Sequence, residues 1–181
     1  SINVNKKNIF FYTFCNYKNF VNNLLATIAI VSIFKDPIKL SKNIFYNMNF
    51  PKGRGDISKI RFKNKNINLV DESYNSNPLS LKSAIENFNL INTKNKKYMI
   101  LGDMLELGKH SKSLHQKIAP IINSTSINKV HILGNHIKET YKNVSSSKKG
   151  FILKESSQII DLIQNELNNN DYLMIKGSNS T

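Results

Sequence analysis

Asp71-Glu72-Ser73-Tyr74-Asn75-Ser76-Asn77-Pro78 decides how this chain is read. A short apolar run, Ile67 to Val70, precedes it and has the character of a strand. Leu81, Ala84, Ile85 and Phe88 follow at i, i+3, i+4 and i+7, so they share one helix face. Asn77-Pro78 is a helix start: Asn can cap free N–H groups, and Pro fits the first turn because it has no N–H to leave unpaired. The segment is therefore strand, polar loop, helix. In a parallel sheet the carboxyl end of a strand is where ligands bind. Two readings stand for the loop, a binding lip and an ordinary polar connector.

Outward from this stretch the pattern is regular. Ile57 to Phe62 and Ile67 to Val70 predict a hairpin across Lys63-Asn64-Lys65-Asn66. Further strands are expected at 97–101, 129–133, 150–153 and 172–175, with helices at about 78–92, 111–123, 135–142 and 156–168. Alternating strands and helices imply an α/β fold, a mostly parallel sheet with helices on both faces. Strand after strand ends in a small or acidic turn: Asp71-Glu72, Gly102-Asp103, Gly134-Asn135 and Gly177-Ser178. These ends are expected along one edge, where a joint site would form.

The N-terminal part differs. Asn8 to Phe14 reads as a strand, the second arm of a hairpin through Asn5-Lys6-Lys7. Residues 19–34 read as a helix apolar almost all round, and hence buried. Asp36-Pro37 stops it, and a shorter helix is expected through Ile38, Ser41, Ile44 and Phe45. Phe50-Pro51-Lys52-Gly53-Arg54-Gly55-Asp56 is the predicted domain boundary, dividing 1–50 from 51–181. Its Gly-Arg-Gly core suits either close backbone approach to a ligand or a solvated linker.

Composition narrows the functional classes. The formal charge is +14, yet the lysines are scattered and no aromatic-basic stacking motif interrupts them, so no nucleic-acid partner is expected. Cys15 is the one cysteine, so no internal disulfide can form and a cytoplasmic setting is expected. The longest apolar run, Leu24 to Phe34, is about half the ~20 residues that a membrane helix needs, so no membrane insertion is expected. The chain starts without Met and stops at Ser180-Thr181 directly after a polar loop, and is expected to be a piece of something longer.

Other signals are weaker. Gly102 to His110 imitates a phosphate-binding P-loop, but it has one residue too many between its glycines. His110 stands where a hydroxyl is needed, and Asp103 and Glu106 would oppose phosphate. The acids are expected instead to face a cationic group. His110, His115, His131 and His136 are too scattered for a metal site and are expected to be solvated or cap-bonded. Lys176-Gly177-Ser178 offers charge and backbone access for an anion.

Together these stretches resemble the Mur ligases. Asp71 to Pro78 is similar to their D-[DE]-[ST]-Y-N-A-N-P motif, in the branch that adds D-alanyl-D-alanine to UDP-N-acetylmuramoyl-tripeptide. Leu101 to Gly108 resembles the LGDMLELG motif, Gly53-Arg54-Gly55 the GRG turn and Lys176-Gly177-Ser178 the KGS motif. Asn19 to Ala26 is similar to the H-x-x-x-N-x-L-A helix near the end of the family's central domain. The matches come in the family's order and cover nearly the whole chain.

The resemblance implies a Rossmann-like C-terminal domain preceded by the helical end of a central ATPase domain. It implies an ATP- and Mg2+-dependent ligase of peptidoglycan precursor synthesis, working through an acyl phosphate as a monomer. By the same resemblance Asn23, Arg54 and Glu72 would be ATP-binding, with Asn22 the adenine contact if the register slips by one. Tyr74, Asn75, Asn77, Asp103, Lys176 and Ser178 would lie on the substrate side. The sequence departs from the family at Asn19, commonly His, at Glu72, commonly Asp, and at Asn179, often Arg. Nothing matches the P-loop or the magnesium-holding lysine, so no catalytic residue is expected within this chain and it should not turn over alone. A non-catalytic Rossmann-like module that binds a nucleotide or a partner is the alternative.

Overall fold

The structure, a computed structural model, describes residues 1–4, 6–13, 18–48 and 52–178. Phe14, Cys15, the Phe50-Pro51 start of the expected boundary, and Asn179 lie outside the described residues. The chain forms two compact units, Ser1–Asn49 and Phe50–Thr181.

In the smaller unit, strands β1 (Ile2–Val4) and β2 (Lys7–Ile9) pair antiparallel as the expected hairpin. The second arm ends at Ile9, short of the predicted Phe14. Helix α1 spans Lys18–Phe34. Leu24 and Ile28 are buried with Phe45, but Ile33 and Phe34 are 75% and 83% exposed. The expectation of a helix buried all round is therefore not met among the described residues, which cover only the side of α1 that carries Leu24 and Ile28. The expected second helix is only a 3-10 turn, Pro37–Lys39, capped by the Asp36 side chain on the Ile38 N–H at 3.0 Å.

The larger unit carries the sheet. Strands β3 (Asp56–Phe62) and β4 (Lys65–Asp71) form a hairpin with a tighter turn than predicted. Lys65 and Asn66 belong to the strand, and Lys63 takes a left-handed φ of 51° to close the turn. Then follow α2 (Pro78–Leu90), β5 (Lys97–Leu101), α3 (Ser111–Gln116), α4 (Ile118–Asn123), β6 (Lys129–Leu133), α5 (Lys138–Lys142), β7 (Lys149–Leu153), α6 (Gln158–Asn165) and β8 (Tyr172–Lys176). The helix predicted at 111–123 is broken at Lys117, because Pro120 has no N–H to return to the carbonyl of Gln116. The helix expected at 135–142 begins only at Lys138, after a turn.

The strand order is β3-β4-β8-β5-β6-β7, and every pair but β3–β4 is parallel. The chain steps outward from β5 to β7 and then returns to place β8 between β4 and β5. Right-handed crossovers in opposite directions put their helices on opposite faces. Accordingly Val70, Met99, Leu101, Val130, Ile132 and Met174 pack against α2 and α4, while Ile67, Tyr98, Ile100 and Leu173 pack against α6. The residues alternate along each strand, so both faces are apolar, as a covered parallel sheet requires.

His131, expected to be solvated or cap-bonded, is fully buried on β6 instead. Its Nδ1 accepts from the Phe151 N–H at 2.9 Å. Burial, with Lys129 nearby, holds the imidazole down to about 4, so its 3.5 Å contact from Nε2 to Glu166 is not an ion pair at neutral pH. The unfolded chain takes up this proton below its ordinary value of 6.5, and the folded chain only near 4. Stability is therefore intact above pH 6.5 and is lost as the pH falls to 4, by about 3 kcal/mol from this residue. His131→Asn, whose carboxamide can keep the Phe151 acceptor, should flatten that part of the unfolding free energy against pH. An unchanged acid slope would refute the assignment.

Candidate functional site

The strand ends meet along one edge of the sheet, as expected. β4 finishes at Asp71, whose Oδ1 accepts from the Ser73 N–H at 3.0 Å and from its hydroxyl at 2.6 Å. This turns the chain off the strand. Glu72 still pairs with the sheet, its N–H donating to Ile175 at 2.9 Å. Asn77 caps α2, accepting from the Ser80 N–H at 2.9 Å, while the Ser80 hydroxyl accepts from the Asn77 N–H at 3.0 Å. The Asn77-Pro78 start was expected from the sequence; the return bond to Ser80 was not.

The Gly-Arg-Gly turn is locked onto this loop. Gly55 N–H donates to Asp71 at 2.7 Å and Tyr74 N–H to Gly53 at 3.1 Å. Gly53 and Gly55 have φ of +73° and +93°, and a Cβ on them would lie 2.9 Å from the Tyr74 nitrogen and from Glu72 Oε1 respectively. No side chain fits there in that backbone conformation. The turn is therefore part of the site and not a loose linker. Arg54 lies between, exposed, with its guanidinium carbon 4.3 Å from the centre of the Tyr74 ring. Arg54 and Tyr74, which the resemblance assigns to different ligands, are in direct contact.

Lys176 does not face solvent. It is 2% exposed, and its ammonium donates to the carbonyls of Asn75 at 2.8 Å and Glu72 at 3.3 Å. It also lies 3.5 Å from Glu72 Oε2. Burial pushes the Glu72 carboxyl up and the Lys176 ammonium down, and their attraction opposes both shifts. The expected open anion contact is thus an internal tie.

Asp103 differs from expectation as well. Among the described residues it pairs with no cation: its carboxylate accepts from the backbone N–H of Asn135 at 3.0 Å and of Ile137 at 2.7 Å. Its carbonyl accepts from the Ser178 N–H at 3.0 Å. Two amides satisfy the buried charge that a cation was expected to meet. Glu106 is exposed, at φ 62°. The amide of Met104 donates to His115 Nε2 at 3.1 Å and that of Leu105 to Ser178 Oγ at 3.0 Å. Those two amides are committed within the fold, consistent with a loop that is not a phosphate cradle. The pinning role of the buried His115 had no signal in the sequence beyond its helical spacing from Ser111, whose carbonyl lies 2.8 Å from its Nδ1.

Between these loops is a cavity of about 160 Å³, lined by Ser73, Gly102, Leu133, Ser156, Ile159 and Gly177 among others. Ser156, near the start of α6, was not foreseen. Tyr74, Asn75 and Asn77 are exposed on the lip, and the largely buried Lys176 and Ser178 also line the cavity. Asn23 is exposed on α1, in the other unit. Among the described residues, no three His, Cys, Asp or Glu side chains converge to hold a metal ion, and no helix is long and apolar enough to cross a membrane.

Residues 58–179 match the family described as Mur ligase, glutamate ligase domain. The UDP-N-acetylmuramoyl-tripeptide--D-alanyl-D-alanine ligase of Rickettsia prowazekii is 29% identical over 161 residues, covering 89% of this chain and 35% of that protein. The ligase of the same name from Buchnera aphidicola of Baizongia pistaciae is 31% identical over 166 residues, covering 91% and 34%. The chain thus spans about a third of the length of these curated relatives. In fold it is similar to the crystal structure of MurF ligase from Thermotoga maritima in complex with ADP, with TM-score 0.72 at 19% identity over 90% of this chain and 35% of that one. It is similar also to MurF from Acinetobacter baumannii, with TM-score 0.74 at 19% identity over 94% and 37%.

Two stability predictions follow from the packing. A Cβ at Gly134, where φ is +133°, would lie 2.5 Å from Asp103 Oδ1, whereas at Gly108, φ +51°, it would meet nothing. Gly134→Ala should therefore lower the unfolding free energy in urea by about 3 kcal/mol and Gly108→Ala by about 1 kcal/mol. Equal losses would contradict the cap. The Ser76 hydroxyl is buried with no hydrogen-bond partner among the described residues. Ser76→Ala should raise the urea midpoint, by about 1 kcal/mol in free energy, and a loss of stability would disprove the unsatisfied hydroxyl.

Proposed function

The chain belongs to the Mur ligase family, and from that premise we propose that it is the C-terminal part of an ATP-dependent ligase. The whole enzyme joins D-alanyl-D-alanine to UDP-N-acetylmuramoyl-tripeptide in peptidoglycan precursor synthesis, the activity that the relatives' names carry. In this reading residues 1–50 close the central ATP-binding domain and 51–181 form the C-terminal domain.

The observation that carries the reading is the lip at the carboxyl edge of the sheet. The turn that carries Arg54 is bonded to this loop at Asp71 and Tyr74, and its Gly55 lies against the Glu72 carboxylate, so Arg54 and Glu72 stand on adjoining segments of the lip. A carboxylate can accept from ribose hydroxyls and a guanidinium suits phosphate, so the pair fits a nucleotide. Tyr74, Asn75 and Asn77, with the cavity under Ser73, offer a polar, partly apolar-floored seat for a small dipeptide. Asn23, carried on α1, is assigned to the adenine by the resemblance alone.

The chemistry proposed for the whole enzyme balances simply. ATP transfers its γ-phosphoryl group to the tripeptide's terminal carboxylate, giving an acyl phosphate and ADP. The dipeptide amine attacks the acyl carbon, loses a proton, and inorganic phosphate leaves as the amide forms. The ligands of Mg2+, which would neutralise the phosphates, are proposed to lie mainly in the remainder of the enzyme. This chain's part is to bind and orient the nucleotide and the incoming amine. The enzyme is proposed to be a cytoplasmic monomer, working where ATP and the nucleotide-linked precursor are found.

Two measurements test this. The coding sequence upstream of Ser1 should contain a G-x-x-G-K-[ST] loop, and an unrelated domain there would sink the proposal. In the full-length protein, ATP-dependent joining of D-alanyl-D-alanine should be measurable. Glu72→Ala should raise the KM for ATP roughly tenfold or more, with little change in the KM for the dipeptide. Tight nucleotide binding by this chain alone would favour a non-catalytic module instead.

A further inference from the structure

Lys176 invites assignment as a ligand contact, since it sits beside Gly177-Ser178 at the carboxyl edge of the sheet. The geometry assigns it a different task. We propose that Lys176 is a positioning residue: its buried ammonium ties the end of β8 to the carboxylate of Glu72 and the main chain of Asn75, and so sets the shape of the lip. The proposal rests on the nucleotide reading only for what the lip is for. The tie itself rests on distances.

Three oxygens face the ammonium, at 2.8, 3.3 and 3.5 Å, and all three belong to the segment from Glu72 to Asn75. An ammonium has three protons to give, so the set is complete without a ligand. It is 2% exposed, and although part of its side chain lines the cavity, its ammonium is turned to the oxygens of Glu72 and Asn75. Burial alone would disfavour the charge, and it is held by the carbonyls and the carboxylate together. The lip has few other anchors on this side. Asp71 turns the chain, Glu72 N–H reaches β8, Tyr74 N–H reaches Gly53, the Ser178 hydroxyl reaches the Ser76 carbonyl at 3.5 Å, and among the described residues the Asn75 side chain accepts from the Ser76 N–H. Lys176 is the tie that fixes the Asn75 carbonyl and aims Glu72. A hundred residues of sequence separate the tie from the lip, so the lip acquires its shape only when β8 has docked.

Hydrogen exchange on this chain tests the tie without any ligand. In Lys176→Met the amides of Tyr74 and Gly55 should exchange at least tenfold faster, while Met99 and Val130, inside β5 and β6, stay protected as an internal check of folding. Unchanged exchange at Tyr74 and Gly55 overturns the proposal. If Lys176→Met does not fold, Glu72→Gln keeps the lysine, and the nitrogen-15 resonance of the Lys176 ammonium should move. A resonance that stays put overturns the proposal equally. In the full-length ligase, Lys176→Met should raise the KM for ATP more than it lowers kcat, and adding it to Glu72→Gln should bring no further increase, because the lysine acts through the carboxylate. Additive effects would mean that Lys176 touches substrate itself, and the proposal falls. If the full-length protein joins no dipeptide, the ligase reading fails, while the exchange result still decides the tie.

Discussion

Two strands, β4 and β5, are joined in the sheet only through a third, β8, whose paired residues lie 104 positions beyond those of β4 and 75 beyond those of β5. β8 pairs with β4 over Asn68–Asp71 and with β5 over Lys97–Leu101. Both apolar faces of the sheet are continuous only with β8 in place, since Met174 completes one and Leu173 the other. The edge that carries the candidate site shares this dependence. Gly102 N–H bonds to the Lys176 carbonyl, Ser178 N–H to Asp103 and Leu105 N–H to the Ser178 hydroxyl. The last strand is therefore also the clasp of the site. Contacts so distant in sequence close late, after a large loss of chain entropy has been met by the rest of the sheet.

The motif residues divide into those that hold and those that present. Gly53, Gly55, Asp71, Asp103 and Lys176 hold, and their polar atoms are committed to neighbouring backbone or side chains. Arg54, Tyr74 and Asn75 present, and all three are exposed. Glu72 does both: its carboxylate is tied on one side to Lys176 and remains about a fifth exposed. An acid in that position is already partly desolvated and already aimed, which lowers the cost of engaging a ligand hydroxyl.

Most of the larger unit was legible in the sequence because parallel sheets write themselves plainly. Apolar runs such as Tyr98–Leu101 and Val130–Leu133 alternate with helix faces such as Leu81, Ala84, Ile85 and Phe88, and the Asn77-Pro78 start was visible in two residues. The expected edge of polar turns formed. What failed was local competition. Pro120 split one helix, and among the described residues α1 is covered only along Leu24 and Ile28. Partners of buried polar groups were the least legible. Asp103 was expected to meet a cation and met two amides of a loop thirty-odd residues away. Lys176 was expected to meet an anion from outside and met one from within. No spacing rule pairs residue 176 with residues 72 and 75; only the strand order does.

The stack of Arg54 on Tyr74 gives the molecule an optical handle. The chain has seven tyrosines and no tryptophan, so its intrinsic emission is tyrosine emission. Tyr74 is half exposed, with a cation resting over its ring. Any anion that draws the guanidinium away must first break a contact worth about 0.5–1 kcal/mol at an exposed site. The same departure would strip a charged neighbour from the fluorophore, so movement of Arg54 off Tyr74 would be read in the light this chain already emits.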